Sequence, residues 1–352
     1  MNSTTAKTAT PAALGYRFPA EWERHVATWL SWPHNRASWP DKFEPVPGIW
    51  AEFIGVLCKH EAVHILAGGE AVMAEARRLV GHLPNVTLHD VPTNDAWCRD
   101  HGPMFLCGPA GAPPALIDWQ YNAWGGKYPP FDKDNDVPRR VAEITGRRRF
   151  EPGIILEGGA VDGNGQGTIL VTEQCLLNEN RNTGLTRADM ERYLADYCGA
   201  RKVLWLGEGI EGDDTDGHID ELARFIAPNC VVAALEEDPA DFNYAPLQEN
   251  FARLKQMTLA DGEPLEVIAL PMPRAKYHDG QRLPASYCNF YIANNVVVVP
   301  QFDDPADMTV MSTLADCFPT RQIIGIRAVD LVWGLGAFHC ITQQEPSGER
   351  GA

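Results

Sequence analysis

Covalent chemistry on a small substrate needs a nucleophile, a proton carrier and groups that hold the reacting atoms, and short segments of this chain offer each. HCITQQEP begins two residues after a Gly-rich approach, WGLGA, and places Cys340 ahead of a polar run. A thiolate is the strongest neutral-pH nucleophile among side chains once a nearby cation or base lowers its pKa. An isolated cysteine is more often a small core residue, and only the close backbone contact that glycines allow shifts that balance. GDDTDGHIDELARF crowds Asp213, Asp214, Asp216, His218 and Asp220 into one loop-to-strand junction. If GHIDE is extended, His218 and Asp220 project from the same face. A histidine oriented by a carboxylate suits a general acid or base. A metal site on Asp216, His218 and Asp220 is the rival reading, and a solvated acidic loop the plainest one.

NDAWCRDHGPMF supplies Trp97, Arg99 and Asp100. A carboxylate beside an indole can bind a planar cation, by paired hydrogen bonds and a π-face; an Arg99–Asp100 ion pair is the structural alternative. ILEGGAVDG puts Glu157 before two glycines, again a carboxylate where backbone can approach closely. The segment from Asp162 to Glu173 nearly fits a calcium-binding EF-hand loop. Its flanks read as strands rather than helices, so a hairpin turn is the expectation there.

Composition narrows the classes of partner. The formal net charge is −17, which disfavours nucleic acid, because phosphates want a basic footprint. A small cationic substrate is compatible with such a field. No stretch approaches the ~20 apolar residues of a membrane span. The lead-in MNSTTAKTATPAALG is polar, so no secretory signal is expected. Nine cysteines, none in a CxxC pair, argue for a reducing, cytoplasmic setting rather than a disulfide framework. A homo-oligomer is left open.

The elements that must position these residues recur. From about residue 155 a unit repeats as two strand-like runs, a helical run and another strand-like run. One copy reads GGAVDG, TILVTEQCLL, TRADMERYLADYC and KVLWLG; the next HIDELARFIA, CVVAAL, YAPLQENFARLKQM and PLEVIALP; a third YCNFYIA, NVVVVPQF, PADMTVMSTLADCF and RQIIGI. NGQG, PN and NN supply the hairpin turns. Upstream, CRDHGPMFLCG and ALIDWQ open a looser copy, with RRVAEITG as its helix. VHILAG, EAVMAEARRLVGH and VTLHDVP belong with the C-terminal FHCITQQ. About five units of roughly 60 residues result. Asp100, Glu157, His218, Asn289 and Cys340 each fall at or just before the first strand of a unit. In a ring of repeats such equivalent positions converge at one end of the axis, which predicts an α/β propeller-like domain rather than a doubly wound sheet. The domain is expected over residues 15–346, after a flexible polar lead-in over 1–14 and before a tail over 347–352.

As a set, ATWLSWP, NDAWCRDHGP, LEGGAVDGNGQGT, CLLNENRN, DDTDGHIDELARF, ASYCNFYIANN, VVVPQFDD and HCITQQEP resemble the agmatine deiminase family of the guanidino-group-modifying superfamily, related to bacterial peptidylarginine deiminases. They cover the chain from near residue 16 to near 346, in family order. The resemblance implies a five-fold pseudo-symmetric α/β propeller of ββαβ modules. It implies Cys340 as nucleophile, His218 as general acid/base, Asp100 and Asp220 as the carboxylates gripping the guanidinium, and Glu157 as support for His218. Trp97 matches an aromatic near the substrate, and Asp214 a contact for the substrate's distal end. No metal or organic cofactor is implied. One departure stands out: the family reads GGGNIHC where this chain reads GLGAFHC, so Leu335, Ala337 and Phe338 are expected to alter the wall beside the nucleophile.

The implied reaction is hydrolysis of agmatine to N-carbamoylputrescine and ammonia through an amidino-cysteine. Alternatives are a deiminase of peptidyl-arginine or another alkylguanidine, and an amidinotransferase. Of a different class are a metal-dependent hydrolase and a non-catalytic binding protein for cationic amines.

Overall fold

A computed structural model of the chain describes residues 9–348. Residues 1–8 of the expected lead-in and 349–352 of the expected tail lie outside the described residues. The rest of the lead-in holds a 3-10 turn, Ala12–Leu14, and Leu14 packs against the core.

Five sheets share one pairing rule: two antiparallel strands, then a helix, then a third strand parallel to the second. In the second module Met104–Leu106 pairs with Ala115–Ile117, and Arg148–Phe150 returns parallel to it after the helix Asp132–Thr145. The third uses Asp162–Gly163, Thr168–Thr172, the helix Arg187–Cys198 and Lys202–Leu206. The fourth uses Ala223–Ala227, Cys230–Leu235, Tyr244–Leu254 and Glu266–Pro271. The fifth uses Tyr291–Ala293, Val296–Gln301, Ala306–Cys317 and Gln322–Arg327. The first module joins the two ends of the chain. Thr342–Pro346 pairs antiparallel with His25–Ser31, which is followed by the parallel strands Ala62–Leu66 and Val86–His89. The strand His25–Ser31 is one that periodicity did not single out.

Local chemistry explains these elements. Middle strands such as Val296–Gln301 are runs of buried valine, as expected where a strand is covered on both faces. The helix Arg187–Cys198 starts on a capping box, Thr186 with Asp189, worth about 1 kcal/mol, and ends on Gly199 in the left-handed region. TEQCLL, read as a continuation of a strand, is instead a helical turn, Glu173–Leu176, because Thr172 caps it through the Cys175 N–H. The EF-hand-like segment is a hairpin, as expected. An additional hairpin, Lys276–His278 with Gln281–Leu283, lies outside the repeat. Among the described residues no helix is long and apolar enough to cross a membrane, and all nine cysteines are unpaired.

Candidate active site

Each module begins with a single tight turn ahead of its first strand, and these turns carry the polar residues picked out by spacing. They are Cys98–His101, Gly158–Ala160, Ile219–Glu221, Tyr287–Asn289 and the turn over residues 338–341. Four of the five neighbouring pairs are hydrogen-bonded, and the remaining pair is in close contact through Glu157 and His218. Gly159 N–H donates to Asp100 Oδ1 at 2.9 Å, and Ser286 Oγ to the Glu221 carbonyl at 2.7 Å. Cys340 N–H donates to Asn289 Oδ1 at 3.2 Å, and Arg99 N–H to the Cys340 carbonyl at 3.0 Å. The glycines after Glu157 are required by this closeness. A Cβ on Gly158 would sit 2.1 Å from the Arg99 carbonyl oxygen; one on Gly159 would sit 2.6 Å from His218 Nδ1 and 2.7 Å from Asp100 Oδ1. The turn also corrects the expectation of an extended GHIDE. Only His218 is extended (ψ 143°), and a 3-10 turn begins at Ile219. His218 and Asp220 still face one volume, through the turn rather than through strand alternation.

Cys340 is buried at the floor of this volume. Its Sγ accepts from Asn289 Nδ2 at 3.0 Å and points at Asp220 Oδ2 (3.6 Å) and Glu221 Oε1 (3.8 Å). Burial, then the charges of Asp220, Glu221 and Asp100, push the thiol well above its ordinary range. In this field the protonated thiol is favoured. Burial likewise raises Glu221, reinforced by Asp220 beside it, so that Glu221 is a neutral acid there. Asp220 goes the other way: burial is outweighed by the His339 hydrogen bond at 2.7 Å, which holds it ionised.

His218 is fully enclosed, with Nδ1 3.7 Å from Asp100 Oδ1 and the Cys175 thiol and Glu157 carboxylate beside the ring. Burial opposes its charge, but Asp100 and Glu157 raise its pKa well above the usual value, so it is a cation poised to donate. Asp100 is pushed up to about 6 by burial and by Asp220 and Glu157, against the pull of His218. Its Oδ2 accepts from the Trp124 indole at 3.0 Å. Trp124 is held at φ +55°, a left-handed conformation that costs an L-residue about 1–2 kcal/mol. Glu157 accepts from Arg181 Nε at 2.5 Å, and it lies within 4.8 Å of His218 and Cys175.

Above this floor opens a cavity of about 740 Å³. Trp97, Asp100, Asp214 and Cys340 all line it. Trp97 is stacked on Trp39, centroids 5.2 Å apart, and the Asp214 carboxylate takes the Tyr128 hydroxyl. Every residue selected from the sequence is thus in or under one cavity. Of the neighbouring acids, Asp213 also lines it and Asp216 does not. Asp213 accepts the N–H groups of Gly217 and His218 and shapes the loop. Asp216 is consumed by Arg181 (2.6 Å), Lys127 (2.8 Å) and Asn180 (2.9 Å), so an Asp216–His218–Asp220 metal cluster does not assemble. Two other groups have donor atoms within 4.8 Å: Glu157, Cys175 and His218, and Asp220, Glu221 and Cys340. Of the three departures in GLGAFHC, only Leu335 lines the cavity, at φ +71°. Phe338 turns away and stacks on Phe53 at 5.0 Å, and Ala337 is buried.

Sequence reasoning missed several parts. Glu221 follows Asp220 directly and was passed over because strand alternation would point it away. His339 bridges Asp220 and Glu21 Oε2 at 2.7 and 2.8 Å, and nothing in the sequence links residue 21 to residue 339. Arg99 is not Asp100's partner: it spans Gln343, Gln344 and Glu21 behind the cysteine.

A mixed α/β fold whose turns gather a buried cysteine, a cationic histidine and several carboxylates under a small-molecule cavity has the make-up of a guanidino-group-modifying enzyme. The chain belongs to the Porphyromonas-type peptidyl-arginine deiminase family, whose model matches residues 17–346. It is 35% identical to the agmatine deiminase of Pseudomonas aeruginosa strain LESB58, over 97% of this chain and 98% of that one. It is similar to the solved structure of the agmatine deiminase of Enterococcus faecalis, with a TM-score of 0.93 and 34% identity over 98% of this chain and 99% of that one. It is also similar to an agmatine deiminase of C. jejuni with substrate bound, with a TM-score of 0.87 and 31% identity over 95% and 97%.

Proposed function

We propose that this protein hydrolyses agmatine to N-carbamoylputrescine and ammonia, with Cys340 as nucleophile and His218 as proton carrier. The observation that carries the reading is the placement of Cys340 Sγ between Asn289 and the Asp220–Glu221 pair, with cationic His218 and Asp100 across the same floor. The empty site crowds carboxylates that repel one another, and a guanidinium relieves that repulsion while Asp100 and Asp220 hold it in register. The same cation lowers the cost of the Cys340 thiolate, whose proton leaves to solvent as the substrate binds. The thiolate adds to the guanidinium carbon; His218 protonates one nitrogen, which leaves as ammonia. Neutral His218 then takes a proton from water, which adds to the amidino-cysteine. Collapse breaks the C–S bond, releasing the ureido product and regenerating the thiol. Glu157 holds His218 in place, and the nucleophile is protein-borne, so the steps call on no metal or organic cofactor.

The gathering of the five first turns around one floor, four neighbouring pairs of them hydrogen-bonded, supports a closed five-bladed α/β propeller, one domain over residues 15–346. Nine unpaired cysteines support a reducing, cytoplasmic location. The cavity wall supports agmatine over arginine: it carries Asp95, Glu211, Asp213 and Asp214, and its arginine, Arg282, is paired with Asp241 at 2.5 Å. An α-carboxylate would be desolvated there without a cation. The test is ammonia release from agmatine, L-arginine and an arginyl peptide, with and without chelator. Agmatine should exceed L-arginine by at least about 100-fold in kcat/KM, ~2.7 kcal/mol, with chelator inert. Comparable efficiency with free arginine would refute the electrostatic argument; activity on the peptide alone would make the protein a peptidyl-arginine deiminase.

A further inference from the structure

The first strands of the modules start at the cysteine's end and reverse at the other. At that far end the hairpin turns over residues 164–167, 228–229 and 294–295 meet the segments that lead into Lys202–Leu206 and Gln322–Arg327. Together they wall a second cavity, of about 1140 Å³, that shares no lining residue with the first. The carboxylate in its lining is Glu23, against four guanidiniums, Arg17, Arg24, Arg201 and Arg321. With Arg17 paired to Glu23, Arg201 and Arg321 meet no carboxylate among the described residues, on a chain whose formal net charge is −17.

The arginines are not equivalent. Arg17 is spent on Glu23 in a two-pronged pair, 2.6 Å on each arm. Arg321 meets only backbone: Nε donates to the Ala293 carbonyl at 3.2 Å and Nη2 to the Trp22 carbonyl at 2.7 Å. Among the described residues no carboxylate lies within ion-pair distance of it, and burial draws its pKa below that of a free guanidinium. Arg201 Nη2 donates to the Gln166 carbonyl at 2.8 Å. Carbonyl acceptors orient a guanidinium without neutralising it. A half-buried guanidinium, Arg321, and an exposed one, Arg201, aimed by backbone at a concave wall suit the tetrahedral oxygens of phosphate, which take such donors in pairs. The cavity's size admits a nucleotide as well as a free polyphosphate.

We propose that this cavity binds a compact phosphate-bearing polyanion through Arg321 and Arg201. The site is separate from the deiminase centre and does not depend on how that centre works. The probes are pyrophosphate and ATP, titrated calorimetrically into the full chain after Cys340 has been alkylated to block the catalytic cavity. One pyrophosphate per chain should bind with a submillimolar Kd that weakens as salt is added. Arg321→Ala should weaken it at least about tenfold, while the anion-free melting temperature stays close to that of the unaltered chain. Should Arg321→Ala fail to fold, the more exposed Arg201→Ala serves in its place, with a loss of about threefold or more. Tighter binding of ATP than of pyrophosphate identifies a nucleotide as the source, and equal affinity a free polyphosphate. Absence of binding to either probe, unchanged affinity in both arginine variants, or loss of binding on Cys340 alkylation overturns the proposal.

Discussion

Replacing Asp220 by asparagine should move two properties of Cys340 in opposite directions. Asp220 Oδ2 lies 3.6 Å from the sulfur. A unit charge at that distance raises the energy of a thiolate by ~4–5 kcal/mol at an effective dielectric of about 20. The His339 hydrogen bond and the charges of His218 and Arg224 offset part of this field; a residual on the order of 2 kcal/mol is assumed. Removing the charge therefore enlarges the thiolate fraction roughly 30-fold at a given pH. A more acidic thiol is intrinsically a weaker nucleophile, which takes back about half of that gain on a logarithmic scale. Alkylation by iodoacetamide near neutral pH, followed by intact-protein mass spectrometry, should thus be about fivefold faster in Asp220→Asn. Deimination should collapse in the same variant. It loses one of the two anions assigned to the guanidinium, and breaking a buried charge pair costs about 3–5 kcal/mol, so kcat/KM falls at least about 100-fold. Slower or unchanged alkylation would refute the account of the thiol's environment. Full catalytic efficiency would remove Asp220 from the substrate's grip.

Cys340→Ser should release less than about 1% of the ammonia with an unchanged melting temperature, since a serine hydroxyl stays protonated where a thiol can ionise; higher turnover would assign the chemistry elsewhere. His218→Asn should stop turnover while leaving Cys340 open to slow alkylation, and mass spectrometry after mixing with agmatine should find either an amidino adduct or unmodified protein. Near-normal rates would make His218 structural. Asp100, pushed up to about 6 by its buried setting, must be ionised to hold a cation. A proton therefore competes with substrate on the acid side, and kcat/KM should rise with pH through about 6 and then level; a profile flat from about pH 5 upward would take Asp100 out of binding.

The repeat was legible because each module is local. A buried hairpin, a capped helix and a returning parallel strand need only contacts within about 60 residues, so Val296–Gln301 or Thr186 with Arg187–Cys198 declare themselves in the chain. The first module was the least legible. Its strand Thr342–Pro346 pairs with His25–Ser31 from the other end of the chain, and no periodicity within either segment reports that partner.

The same division runs through the site. Residue type and recurring position, which are properties of the chain alone, singled out Asp100, Glu157, His218, Asn289 and Cys340, because equivalent points of repeated units must meet if the units close on one another; Asp220 was picked out by its place beside His218. What each of them does electrostatically depends on neighbours from other modules. Packing alone decided that Asp213 and Asp214 line the cavity while Asp216 is spent on Arg181, Lys127 and Asn180, and that Arg99 serves the turn behind the cysteine. Packing alone made Glu221 a neutral acid beside an ionised Asp220, since the His339 hydrogen bond, with His218 and Arg224, stabilises the charge on Asp220. Charge state at a buried site is set by desolvation and by groups within a few ångströms, and those distances exist only once the five turns are brought together.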